Sequence, residues 1–567
     1  MSNVDRVQTT QDGKMKGGST ARKATVSALR RARSDTEKFA ALMVLTKAVS
    51  AESLNSDDLA KILNAVGVPF LLRLLRTNEA PEGCPPELFR SLGLELLGVF
   101  ASDEKLSDVL APTIEPLDEL VSSNNDELSS QAVSCAARFA EHHAGRRALV
   151  TLWRDSKLSA YLAKPDGVRL LTSLAGDPDV RLRTPSSLFK SAASAFQKDG
   201  GEAKFAVCRL LAALLARDDL ADDAVTSAFS DLRAGLRQTL GSRLGSKMRS
   251  DVFELLAALV SRIGTSWALT PDDEPWALAV SLAAVEVRVQ LEFGKPDVAL
   301  LLRCFLLLEA ALEGAHDLTS KRLLQLRGRV EDALAAVLGF VRQNCPQEEA
   351  PHGERDPLVL ASCRLVCSWL SQDCSSLRPQ LVQALPTLLH LASQEEQSLL
   401  PLLVPGLCHV TADPELRPLV LASPILPNLW RHLQASSGVA LETACGVFLN
   451  VVVLEQDFVT SAPAPFPELL GFCVRTVVSP ARDLQPVLRA NLIVLGLFLL
   501  KLGLKTATTE LCADDLRAFL VGARRFVKSP PGPLEDKEDA TELCELRLLG
   551  VQVLQELPES LVPDFSD

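Results

Sequence analysis

Three residues recur at a fixed interval late in this 567-residue chain: His409, Asn450 and Asn491, each 41 positions from the next. An imidazole and two carboxamides in single file are no set for proton transfer or nucleophilic attack, which needs its members within hydrogen-bond reach of one another. A carboxamide offers one acceptor and a two-proton donor, which complements a peptide backbone. Repeated along a groove, such groups hold an extended peptide; singly, they are ordinary polar residues at helix edges, and the spacing admits both readings. A second set lies at the other end. Arg6, Lys14, Lys16, Arg22, Lys23, Arg30, Arg31 and Arg33 face only Asp5 and Asp12 within residues 1–33, a balance of +6 that leaves −18 on the rest of a −12 chain. Lys14, Lys16, Arg22, Lys23, Arg30, Arg31 and Arg33 are therefore candidates for contact with an acidic protein surface or acidic lipid headgroups, against the alternative of a solvated tail. Arg22-x-x-Thr25 and Arg31-x-x-Ser34 also fit the spacing used by arginine-directed kinases.

Enzyme and metal signatures do not assemble. Gly241-Ser242-Arg243-Leu244-Gly245-Ser246-Lys247-Met248 has glycines and a lysine, but Ser246 separates Gly245 from Lys247 and Met248 stands where a magnesium-binding hydroxyl belongs. No GxSxG, HExxH or GxGxxG fingerprint is present. His142 and His143 follow Glu141 where a helix should end, a place that suits solvated or capping histidines. Cys363, Cys367 and Cys374, with His352 or His390, lack the paired spacing of a zinc site. No catalytic residue, metal or cofactor is expected. Nucleic acid is disfavoured as well, because the −18 body shows no basic stripe.

The elements that would position the three residues repeat too. Leu385-Pro386-Thr387-Leu388, Leu426-Pro427-Asn428-Leu429 and Phe466-Pro467-Glu468-Leu469 start 41 and 40 residues apart. Proline at a first helical turn costs no hydrogen bond, and leucines three and four apart present one face to the next helix. Apolar runs follow each one, at 400–410, 439–454 and 484–500, and these carry His409, Asn450 and Asn491. An interval near 40 belongs to two- or three-helix repeats that bury their apolar faces only by stacking. The fold class read from this is all-α, an armadillo/HEAT-like superhelical solenoid whose last helix per repeat would line the groove.

Composition agrees with that reading. Hydrophobic residues make up 47% of the chain, which is ample for stacking, while 5% are aromatic and Tyr161 is the single tyrosine. The thirteen cysteines are scattered, as in reduced core positions. Arg303 and Asn491 interrupt the longest apolar runs, which read as buried helices rather than membrane spans. The first residues lack the apolar core of a secretory signal, so cytosolic residence is expected.

Taken in order, residues 1–33 form a basic arm without apolar periodicity, expected to be disordered. The solenoid is expected over 34–528, opening on the capping box Ser34-Asp35-Thr36-Glu37. Ser56 should cap the next helix and Gly67 stop it. An acidic Pro-rich linker at 529–539 should precede a terminal helix and tail at 540–567.

Several blocks resemble the neurochondrin family. Residues 34–42 with 45–49, then Ala65-Val66-Gly67 and Asn78-Glu79-Ala80-Pro81-Glu82-Gly83-Cys84-Pro85, are similar to its opening. Leu244-Gly245-Ser246-Lys247, Gly264-Thr265-Ser266-Trp267 and residues 282–288 resemble its middle, and Leu449-Asn450-Val451-Val452 a later segment. The resemblance implies a non-enzymatic neuronal scaffold, cytoplasmic and in neuronal projections. It further implies support of neurite outgrowth and modulation of receptor and calcium/calmodulin-dependent kinase II signalling. Partners would be cytoplasmic tails of signalling receptors and kinase-pathway proteins. Vertebrate members carry palmitoylated cysteines near the initiator methionine, whereas the first cysteine here is Cys84, so no N-terminal lipidation is expected. The alternative reading is a peripheral protein drawn to acidic lipids by its arm.

Overall fold

The computed structural model describes residues 27–48, 55–78, 84–149, 158–179, 186–269, 274–314, 320–345, 356–372, 374–394, 399–461, 464–479, 484–503, 511–528 and 537–557. Among them the regular elements are helical and no strand occurs.

Local rules set many of the helix ends. Ser34 Oγ accepts the Glu37 N–H at 3.2 Å, as the capping box requires, while Glu37 Oε2 accepts the Arg33 N–H at 2.7 Å, one residue before the cap rather than the cap's own. Ser56–Val66 is capped by Asn55, one residue before Ser56, through the Asp58 N–H at 2.9 Å. It stops at Gly67, whose φ of 82° few other residues adopt. Pro69, Pro86, Pro165, Pro357, Pro401, Pro467 and Pro486 each sit in a first turn. Pro386 does not. It lies inside Arg378–Ala392, where Leu381, Ala384, Leu385, Leu388 and Leu389 are buried. Burying that face, at about 1.5–3 kcal/mol for each large apolar side chain, offsets the hydrogen bond that proline removes.

The expected arm ends earlier than residue 33. Residues 27–31 are helical with Leu29 only 1% exposed, because one apolar side chain gives this turn something to bury. The terminal helix starts at Lys537 rather than 540. Residues 529–536 and 558–567 lie outside the described residues.

The chain divides into two units, Met1–Trp276 and Ala277–Asp567. In the first, Pro86–Ala101, Asp126–Phe139, Pro165–Ala175, Gly201–Leu215 and Ser246–Ile263 form a row, each packed on the next. A second layer backs it, made of Val68–Arg76, Ile114–Val121, Leu158–Leu162, Ser186–Lys198 and Phe229–Leu240. In the second unit the row is Val298–Glu313, Pro357–Leu370, Leu400–Ala412, Gly438–Leu454, Pro486–Lys501 and Lys537–Glu556. Its backing includes Ser320–Asn344, Ile425–Ala435, Phe466–Val478 and Ala513–Lys528. Each unit is therefore an armadillo-like helical stack, in which a helix touches its neighbours in the row and its partner behind. No described helix is long and apolar enough to cross a membrane. Residues 490–500 of Pro486–Lys501 are buried all round, so this apolar run is a core helix.

Gly406 lets Leu400–Ala412 approach Pro357–Leu370 closely. A Cβ on Gly406 would stand 2.6 Å from Leu370 Cβ and 3.3 Å from the Leu370 carbonyl carbon, whereas one on Gly339 would meet nothing within 4 Å. Gly406→Ala should destabilise the protein by about 1–3 kcal/mol through overpacking, and Gly339→Ala should stabilise it by about 0.5–1 kcal/mol through helix propensity. Chemical denaturation of the two variants beside the parent checks both signs.

Candidate peptide-binding face

The three residues spaced by 41 lie on consecutive helices of the second unit's row, on Leu400–Ala412, Gly438–Leu454 and Pro486–Lys501. Their environments differ. His409 is exposed, and its Nε2 lies 3.1 Å from the Ser371 carbonyl, which caps the preceding row helix. Asn450 is half-buried, and its Nδ2 donates to the Cys408 carbonyl at 2.9 Å and to Thr411 Oγ1 at 3.2 Å. Asn491 is 3% exposed, with Nδ2 3.4 Å from Glu542 Oε1 on Lys537–Glu556. Asn491 therefore gives no surface atom to a bound chain. The expectation of three equivalent groove contacts is corrected to one exposed and one half-buried residue, because the next row helix packs over the third.

These bonds have a common cause. A helix ends with carbonyls that have no intrahelical donor, and a buried one must find a partner. Here a side chain of the following repeat reaches a carbonyl of the preceding one: His409 turns to Ser371 O, which lies just past the end of Pro357–Leu370, and Asn450 adds a bond to Cys408 O within Leu400–Ala412. In the first unit His142 Nε2 lies 2.9 Å from Ser102 O, and Arg262 donates to Arg217 O at 2.9 Å. The 41-residue recurrence is in the first place a strap between repeats.

A second strap was not read from the sequence. Arg417 Nη1 donates to the carbonyls of Thr411 and Ala412 at 3.1 and 3.3 Å, and its Nε meets Glu455 Oε1 at 2.7 Å, one repeat on. Arg146 does the same: Nη1 to Ala140 and Glu141 at 3.0 and 3.4 Å, and Nε to Asp177. The available signal was an arginine six residues past a helix's last carbonyls, with an acid 31 or 38 residues later. His143 and Asp179 join Asp177, and the ligand atoms of the three lie within 4.8 Å of one another. The carboxylate a cation would need first is already held by Arg146. This is an ion-paired clamp.

Burial would raise the Asp177 carboxyl, but hydrogen bonds from Arg146, the Asp179 N–H and His143 outweigh it and hold the group below the usual carboxylate range. Glu309 behaves oppositely. Burial raises it although Arg364 Nη2 lies 2.9 Å away and pulls it down. Burial likewise pushes the Cys408 thiol up to about 12, with the Glu542 carboxylate adding to the effect, and raises Cys445 on the helix of Asn450, so neither thiol is a nucleophile at neutral pH. Cys363, Cys367 and Cys374 are buried thiols.

The free face of the row is apolar as well as polar. Leu302, Leu402 and Val439 are 37%, 46% and 69% exposed, each within the first turns of a row helix. Sequence pattern could not separate them from the core leucines around them. Of the basic candidates, Arg30, Arg31 and Arg33 are exposed, while Lys14, Lys16, Arg22 and Lys23 lie outside the described residues.

Comparison with known proteins places this arrangement. The neurochondrin family profile matches residues 17–527. Neurochondrin of Xenopus laevis is 28% identical over 92% of this chain and 85% of its own length. That of Gallus gallus is 30% identical over 86% and 78%, and the Drosophila melanogaster homolog 26% identical over 84% and 78%. A solved chain from work on a phosphorylation switch controlling the interaction between cadherin and beta-catenin aligns over 94% of this chain and 100% of its own, at 11% identity and a TM-score of 0.58. An engineered protein from a structural genomics consortium aligns over 76% and 98%, at 14% identity and a TM-score of 0.51. Likeness at these identities concerns the fold.

The lowered Asp177 sets a pH dependence. A carboxyl whose folded value lies below its unfolded one stabilises the protein above the unfolded value of about 3.8 and loses that contribution as pH falls through the folded one. Thermal unfolding from pH 6 down to pH 2 should show a shallower acid loss in Asp177→Asn than in the parent, with a lower starting stability at pH 6.

Proposed function

Because this chain belongs to the neurochondrin family, we propose that it is a non-enzymatic scaffold that binds extended cytoplasmic tails of signalling receptors and kinase-pathway proteins. On this reading it supports neurite outgrowth and modulates receptor and calcium/calmodulin-dependent kinase II signalling from the cytoplasm, including neuronal projections. The observation that carries the binding mode is the pair of exposed apolar residues Leu402 and Val439 at the starts of two successive row helices whose later turns carry His409 and Asn450, with Leu302 exposed on a row helix further back. Packed helices lie about 8–10 Å apart, and an extended chain advances about 3.3 Å per residue. A tail crossing the row thus meets a new helix every third residue, apolar side chains seated on the leucine and valine positions. Asn450 spends its N–H groups on Cys408 and Thr411, which leaves its amide oxygen for a backbone N–H of the tail.

Asn450→Ala removes a strap as well as a contact, so it is a poor probe of binding. Leu402→Glu combined with Val439→Glu changes only exposed positions and should weaken binding of a receptor-tail peptide at least tenfold while the melting temperature stays within about 2 °C. Titration calorimetry beside a thermal melt reads both; unchanged affinity removes the proposed face.

A second reading rests on the exposure of Arg30, Arg31 and Arg33 at the root of the basic arm. It assigns the arm weak attraction to acidic headgroups, at about 1 kcal/mol per basic residue near the surface. Sedimentation with phosphatidylserine vesicles should then fall with salt and on deletion of residues 1–33. Equal pelleting with neutral vesicles rules it out.

A further inference from the structure

The arginine-x-x-Ser/Thr spacing occurs at several places in the chain; at Arg183-x-x-Ser186 the arginine lies outside the described residues, and three others are set apart by the structure. Thr172 follows Arg169 but lies within Pro165–Ala175, half-buried, its hydroxyl donating to the Val168 carbonyl at 2.8 Å. Thr265 follows Arg262 and is half-buried between two helices. Ser246 follows Arg243 and is exposed, but it closes a five-residue link between the helices Phe229–Leu240 and Ser246–Ile263. Ser34 differs from all three. It is exposed, it has Arg30, Arg31 and Arg33 at positions −4, −3 and −1, and these are exposed too. The chain leaves helical geometry at residues 32–34, between the turn 27–31 that carries Arg30 and Arg31 and the helix Asp35–Ala48, so Ser34 and Arg33 lie at an exposed break rather than inside a helix.

We propose that Ser34 is a phosphorylation site for arginine-directed serine/threonine kinases, and that its phosphate is retained at this junction by the flanking guanidinium groups. In the reaction, Ser34 Oγ bonds to the γ-phosphorus of Mg·ATP as the bond to the β,γ-bridging oxygen breaks. ADP departs, and the hydroxyl proton passes to the kinase's catalytic base. The product fits its surroundings. A phosphoserine carries about −1.5 to −2 charges and three acceptor oxygens. It replaces a hydroxyl that already accepts the Glu37 N–H, so the acceptor role is kept and strengthened. Of the two neighbouring carboxylates that would oppose it, Asp35 is paired with Arg73 through two contacts of 2.9 Å, and Glu37, which accepts the Arg33 N–H, is exposed and free to turn to solvent. Arg30, Arg31 and Arg33 supply compensating charge on the N-terminal side. Phosphorylation then ties the turn 27–31 to the start of Asp35–Ala48 and withdraws arginines from any acidic surface the arm would otherwise meet.

The test uses the full chain, the catalytic subunit of cyclic-AMP-dependent protein kinase and Mg·ATP, with fragment mass spectrometry to place the phosphate. Labelling of Ser34 is expected. Arg31→Ala should slow it at least tenfold, and Ser34→Thr, which keeps the cap, should still be labelled. Amide exchange at residues 35–38 should slow on labelling. Absence of label from Ser34, its placement on Thr36 instead, or a rate in Arg31→Ala within twofold of the parent overturns the site. Unchanged exchange at 35–38 overturns the retention of the phosphate. None of these readouts involves vesicles or tail peptides, so the result stands apart from either functional reading above.

Discussion

A helix that ends inside a stack leaves carbonyl oxygens with nowhere to turn, and the architecture of both units answers that constraint. The donors come from the next repeat along the row: His142 to Ser102, Arg262 to Arg217, His409 to Ser371, with Asn450 adding a bond to Cys408 within its helix. Arginines just past a helix end do the same from the other side, as Arg146 and Arg417 collect two carbonyls each and then engage an acid one repeat on. Apolar stacking supplies most of the energy, but it is not directional. The polar straps add register, because a one-turn slip would part each donor from its acceptor.

That double duty explains why the 41-residue recurrence was legible and its meaning only partly so. Period and residue type identify helices that stack, and the structure has them in one row. The partners of Asn450 and Asn491 lie about 40 and 50 residues away, on neighbouring helices, and no local pattern reports them. Asn491 looked like its two predecessors, yet the next row helix covers it. The cap at Ser34 and the stop at Gly67 were readable because their partners lie within four residues. Pro386 misled for the converse reason: proline's local preference yielded to a buried leucine face. The arginine clamps went unread because arginine at a helix end is common and its acid sits a repeat away.

Buried ionisable groups divide along the same line. Asp177 is strapped and held ionised, while Glu309 is buried with Arg364 at its rim and is pushed toward the neutral form. The first kind adds stability above the carboxylate range, and the second is lost as pH rises. Leu402 and Val439, by contrast, are exposed apolar side chains at the starts of two row helices.

Synthesis on the ribosome meets these residues in a fixed order. The helix Pro486–Lys501 is apolar on every side from 490 to 500, and its last cover, Lys537–Glu556, emerges only some fifty residues later. At about 5–20 residues per second that is several seconds during which the most water-averse segment of the chain hangs beside an already folded amino-terminal portion. Nascent-chain chaperones have their natural client there, and a stalled message that stops within the 502–536 interval would release a product with that segment bare.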